Sequence, residues 1–120
     1  MAQADQAEGL SDTPGVGLPS YAGRAAQEKP DLWRALQELG REASQAGPLD
    51  GRTRRLVRLA LAVAIGSEGA THSHARRGLA EGIPAAELEH VAWLATTTLG
   101  WPQAIRALSW IRDVTEAEAS

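Results

Sequence analysis

The chain has 120 residues, 43% of them hydrophobic and 22% charged, which suits one globular domain with a modest core. A formal net charge of −3, with eleven of the twelve basic residues being Arg, argues against a polyanion such as nucleic acid as partner. The absence of cysteine excludes disulfides, thiolate metal sites and peroxidatic thiols in this chain, and four Trp, one Tyr and no Phe leave Ala, Leu, Val and Ile to build the core.

Residues 1–20 are rich in Ala, Gly, Pro, Asp and Ser and lack an apolar period, so they read as a flexible N-terminal arm. No basic segment followed by an apolar one opens the chain, so no signal peptide is expected. From Pro30 the pattern changes: Leu32, Trp33, Leu36, Leu39 and Ala43 recur at helical spacing, predicting a first helix over 30–45 that Ala46-Gly47-Pro48 ends. Asp50 stands where it could cap the next helix, 52–65, which is basic at its start, then apolar almost all round, and is therefore expected to be central. Its longest apolar run, Leu56 to Ile65, is far short of the roughly 20 residues that cross a bilayer, so a soluble, cytoplasmic protein without membrane association is expected.

Gly66 and Gly69 precede a third helix, about 70–81, that Gly82 terminates. Pro84 and Glu87 open a fourth, with Leu88, Val91, Ala92, Ala95 and Leu99 as its apolar stripe. After the break at Gly100-Trp101-Pro102, Ala104, Ile105, Leu108, Ile111 and Val114 form the inner face of a last helix. No strand pattern appears. Short connections imply antiparallel neighbours, so the expected fold is an all-α antiparallel bundle of about five helices, with the folded domain over 21–116 and a tail over 117–120.

Chemistry concentrates in the third helix. At about 100° per residue, Glu68, His72 and Arg76 fall in one file, whereas His74 falls in line with Ala70, Gly78 and Glu81. Two histidines one residue apart cannot share a helix face, so a chelating His72/His74 pair would need ligands from elsewhere, and no metal is expected. His90 follows two glutamates on a face that reads as solvated. An imidazole such as His74, flanked by small residues, suits proton exchange, or else a hydrogen bond across the bundle. Glu68 could take a proton, pair with Arg76 or cap the helix. Arg52, Arg54, Arg55 and Arg58, with Arg76 and Arg77, suit carboxylate binding or a solvated rim. Thr96-Thr97-Thr98 is explained by hydroxyls bonding back to preceding carbonyls.

Three segments carry a family resemblance: Asp50 to Ala64; His74 to Leu88, with its His-x7-Gly spacing; and Leu99-Gly100-Trp101-Pro102-Gln103-Ala104. Together they resemble the carboxymuconolactone decarboxylase family, within the alkylhydroperoxidase D-like proteins. The resemblance implies an alkylhydroperoxidase D-like all-α fold, assembly as a homo-oligomer (trimer or hexamer), and pockets near subunit contacts. In the peroxidase branch a Cys-x-x-Cys pair precedes the histidine matched by His74. Here Ser67 and Ala70 stand in its place, and Arg55 stands where that branch has a glutamate, so thiol peroxidase activity is not expected. The decarboxylase branch implies acid–base chemistry on a small carboxylate or lactone, without a cofactor. His74 matches the motif histidine, and Trp101 and Pro102 match the motif turn. Glu68 and His72 match no position of the motif; the residues themselves add them to the expected site, with Glu68 or His72 as catalytic partner of His74, and Arg76, Arg77 and Arg55, together with Trp101, holding a small anionic molecule. The alternative is a non-catalytic assembly or small-molecule binding protein of the same fold.

Overall fold

A computed structural model describes residues 20–119; of the arm expected over 1–20, residues 1–19 lie outside the described residues, as does Ser120, and Ser20 begins a helix instead. All the described regular elements are helices: α1 (Ser20–Glu28), α2 (Pro30–Ser44), α3 (Gly51–Ala64), α4 (Glu68–Ala80), α5 (Ala85–Leu94), the single turn α6 (Thr96–Leu99) and α7 (Trp101–Ala119). The all-α expectation holds, and the sequence pattern missed only α1 and the division of its fourth helix into α5 and α6. The chain divides into two compact units, Met1–Gly51 and Arg52–Ser120.

In the first unit α1 packs against α2, whose first turn carries Pro30, where a missing N–H costs nothing. Within this unit α1 leaves the apolar stripe of α2 uncovered: Leu32, Leu36 and Leu39 are 69, 57 and 65% exposed.

In the second unit α7 is the organising helix, packing against α4, α5 and α6. Its Ala107, Leu108 and Ile111 meet Leu59 and Val63 of α3, Ala75 of α4, Ile83, and Leu88 and Ala92 of α5 in one apolar core. The central position expected for α3 is a correction. That helix buries Arg55, Leu59, Ala62 and Val63 but leaves Val57, Leu61 and Ile65 exposed at spacings of four. Being apolar on two faces, it offers one to this core and one to something else.

The ends of α4 are set locally. Ser67 Oγ accepts the Ala70 N–H at 3.1 Å, capping the helix and drawing Glu68 into its first turn, two residues earlier than the apolar pattern indicates. At the other end Ile83 N–H reaches Gly78 O and Gly82 N–H reaches Leu79 O, the paired bonds of a helix stop whose left-handed position is filled by Gly82 at φ 92°. Gly78 lets α5 approach, since a Cβ there would lie 2.7 Å from Leu88 Cδ2. Where the fourth helix was expected to continue, Thr96 and Thr97 hydroxyls donate to the Trp93 and Leu94 carbonyls, as the Thr run suggests, and the helix hitches at Ala95. Pro102 falls in the first turn of α7, so the Gly-Trp-Pro break starts that helix at Trp101 rather than at Ala104.

Candidate functional site

Arg55 is the largest fully buried side chain of the described chain, at 0% exposure. A guanidinium does not lose its charge on burial, so it must be paired. Glu81, at the C-cap of α4, supplies the pair: Arg55 Nε donates to Oε1 at 3.0 Å and Nη2 to Oε2 at 2.7 Å, a two-pronged contact. A carboxylate at a helix C-terminus is opposed by the helix dipole, and this cation offsets that. The remaining prong, Nη1, lies 2.7 Å from His74 Nδ1. Glu81, Arg55 and His74 thus form one network between α3 and the C-terminal half of α4.

The network fixes the state of the imidazole. Burial, and after it the positive charges of Arg55, Arg77 and Arg58, push His74 down to about 4, so the ring is neutral near pH 7. Because a guanidinium can only donate, Nδ1 must accept and the single ring proton sits on Nε2. That Nε2–H has no hydrogen-bond acceptor among the described residues, while its ring is only part-buried. The result is a neutral, oriented N–H donor in a field of three guanidiniums.

The expected site residues divide between two faces of α4. His74 joins Arg55, under the electrostatic influence of Arg77 and Arg58. Glu68 and His72 do not join it: His72 Nε2 lies 2.9 Å from Asp113 Oδ2 on α7, and Glu68 converges on the same point. Arg76 is exposed. Arg55, expected to hold an anion, is instead sealed and engaged by Glu81 and His74. Trp101, expected at the ligand, is 62% exposed and pairs with Trp93, ring centroids 6.3 Å apart. His90 is exposed, as its neighbours suggest.

Two residues of these clusters are not among the expected site residues. Glu81 falls in line with His74, seven residues on, as the helical spacing indicates, but carries no expected role. Asp113 has no such signal, because its partner is 41 residues away on another helix. Further along α7, Thr115 Oγ1 donates to Glu89 Oε2 at 2.9 Å and Arg112 meets the other oxygen at 3.4 Å, tying α5 to α7. Thr71, fully buried on α4, has the one buried side-chain oxygen without a hydrogen-bond partner among the described residues.

Compared with known families, residues 30–113 match the model described as the carboxymuconolactone decarboxylase family, which covers most of the chain. No match is found among curated proteins or among solved structures.

Proposed function

We propose, since this chain belongs to the carboxymuconolactone decarboxylase family, that it performs decarboxylation or a related proton transfer on a small carboxylate or lactone, with its own side chains as the catalytic groups. The observation that carries this reading is the neutral His74 ring, its Nδ1 occupied by Arg55 and its Nε2–H without an acceptor among the described residues. When carbon dioxide leaves a β-keto acid or an equivalent lactone, the C–C bond breaks and its electron pair moves onto the neighbouring carbonyl oxygen. A preorganised neutral N–H aimed at that oxygen stabilises the charge as it develops, and the carbon is then protonated from solvent. The lone pair of His74 is taken by Arg55, which favours the donor role over that of proton acceptor. Arg58 and Arg77, whose charges already act on the ring, would attract the anionic substrate. Arg55 acts as a positioning residue, holding the tautomer.

The test is turnover of a panel of lactones and β-keto acids by wild type and His74→Ala. Loss of one donor to a developing oxyanion lowers kcat by about 10²–10³ in comparable sites, and that is the expected result. Equal rates for the two proteins would remove His74 from the chemistry.

A second reading, an oligomeric assembly or binding protein, draws on the apolar stripes that each unit leaves open by itself, Leu32, Leu36 and Leu39 on α2 and Val57, Leu61 and Ile65 on α3. Copies of this chain are the proposed cover, because a helix with such a period gains stability only when the stripe leaves water. Light scattering should give a multiple of the 12.7 kDa chain mass; a monomer at micromolar concentration would refute the assembly.

A further inference from the structure

A second cluster stands apart from His74. Glu68 and His72 lie one helical turn apart on α4, and Asp113 meets them from α7; one donor atom from each lies within 4.8 Å of the other two. His72 and Asp113 are already at 2.9 Å. Three donors around one ion at about 2.1 Å are separated by about 3.4 Å in a tetrahedral site, so a small closing movement of exposed or half-exposed side chains completes the geometry.

Charge points the same way. Among the described residues neither Glu68 nor Asp113 forms an ion pair with any Arg or Lys, although Arg112 is the immediate neighbour of Asp113. The Arg112 guanidinium turns instead to Glu89 and Glu116. Two carboxylates therefore converge with only an imidazole between them. Glu68 also sits in the first turn of α4, at the positive end of the helix dipole. His72 and His74 point about 200° apart around α4, so this cluster is independent of the Arg55 network and of the function proposed for it.

We propose that Glu68, His72 and Asp113 form a binding site for one divalent transition-metal ion, with one imidazole nitrogen and two carboxylate oxygens. That mixed donor set fits Zn²⁺, with water completing the coordination, better than Ca²⁺ or Mg²⁺, which take oxygen ligands throughout. Bound there, the ion fastens α4 to α7, the two helices in closest association in this unit.

The test uses the full chain, without a histidine tag and stripped with chelator, titrated with ZnCl₂ by calorimetry and with CoCl₂ by visible absorption. One Zn²⁺ per chain is expected, with a rise in melting temperature as Zn²⁺ is added, because an ion that binds only the folded state stabilises it. Asp113→Asn and His72→Ala should each weaken binding tenfold or more and abolish the melting shift, whereas His90→Ala, which changes an exposed imidazole outside the cluster, should match wild type. Asp113→Asn alters an exposed side chain of the same size, so its fold is preserved even if His72→Ala perturbs the helix. Failure of wild type to take up Zn²⁺ at about 100 μM, or equal affinity in Asp113→Asn and wild type, would overturn the site. Neither outcome bears on turnover by His74.

Discussion

Substituting Glu81 by Gln isolates the charge on which the buried network depends. The substitution keeps the size of the side chain and one carbonyl acceptor, but removes the carboxylate charge that faces Arg55 at 0% exposure. In the native chain two charge-assisted bonds, at 3.0 and 2.7 Å, join the pair. Hydrogen bonds to charged groups contribute about 1.5–3 kcal/mol each, and stripping one partner from a buried pair costs about 3–5 kcal/mol. Glutamine retains one bond, and the native Glu81 side chain is 19% exposed, so water can approach; both facts place the loss near the lower end, about 3 kcal/mol. For a chain of this length that is a fall of about 15 °C in melting temperature. Urea denaturation followed by circular dichroism measures it directly. The double variant Arg55→Met/Glu81→Leu removes both charges and should recover most of the loss, because a buried ion pair replaced by apolar groups is often neutral. If Glu81→Gln stays within about 0.5 kcal/mol of wild type, or the double variant is no more stable than the single one, the buried charge is not what the network balances.

The His74 ring gives a pH dependence. Its folded value of about 4 lies below the unfolded 6.5, so above pH 6.5 the ring is neutral in both states and contributes no slope. As the pH falls from 6.5 towards 4 the unfolded chain takes up the proton first, and stability is lost across that window, by about 2 kcal/mol after allowance for the partial exposure of the ring. His74→Gln should flatten that part of the profile, and an unchanged slope would show that His74 titrates normally. Thr71→Val should stabilise the protein by about 1 kcal/mol, since it keeps the shape of a fully buried side chain while removing a hydroxyl that has no partner; a loss of stability in denaturation would mean that the hydroxyl is satisfied in solution.

Much of this protein is legible from local pattern. The stripe of Leu88 and Ala92 and that of Ala104, Leu108 and Ile111 are buried as their spacing indicates. Pro30 opens α2, Gly82 closes α4, and the Thr96 and Thr97 hydroxyls turn back onto the backbone. These are interactions within one or two helical turns, where a residue's neighbours in sequence are its neighbours in space. The separation of His72 from His74 is legible for the same reason, because two positions along a helix are a rotation of about 200°.

The tertiary structure decided what each face meets. A row of arginines at the start of a helix reads as a solvated rim, and nothing local marks Arg55 as the one turned inward, because its burial is tolerable only when the carboxylate of Glu81, 26 residues on, arrives opposite it. The file of Glu68 and His72 is visible in sequence, but its third member, Asp113, comes from a helix that the core packing, not the spacing, brings alongside. Helical periodicity determined which side chains share a face; long-range pairing of charge, a property of two helices together, determined which of those faces became a site.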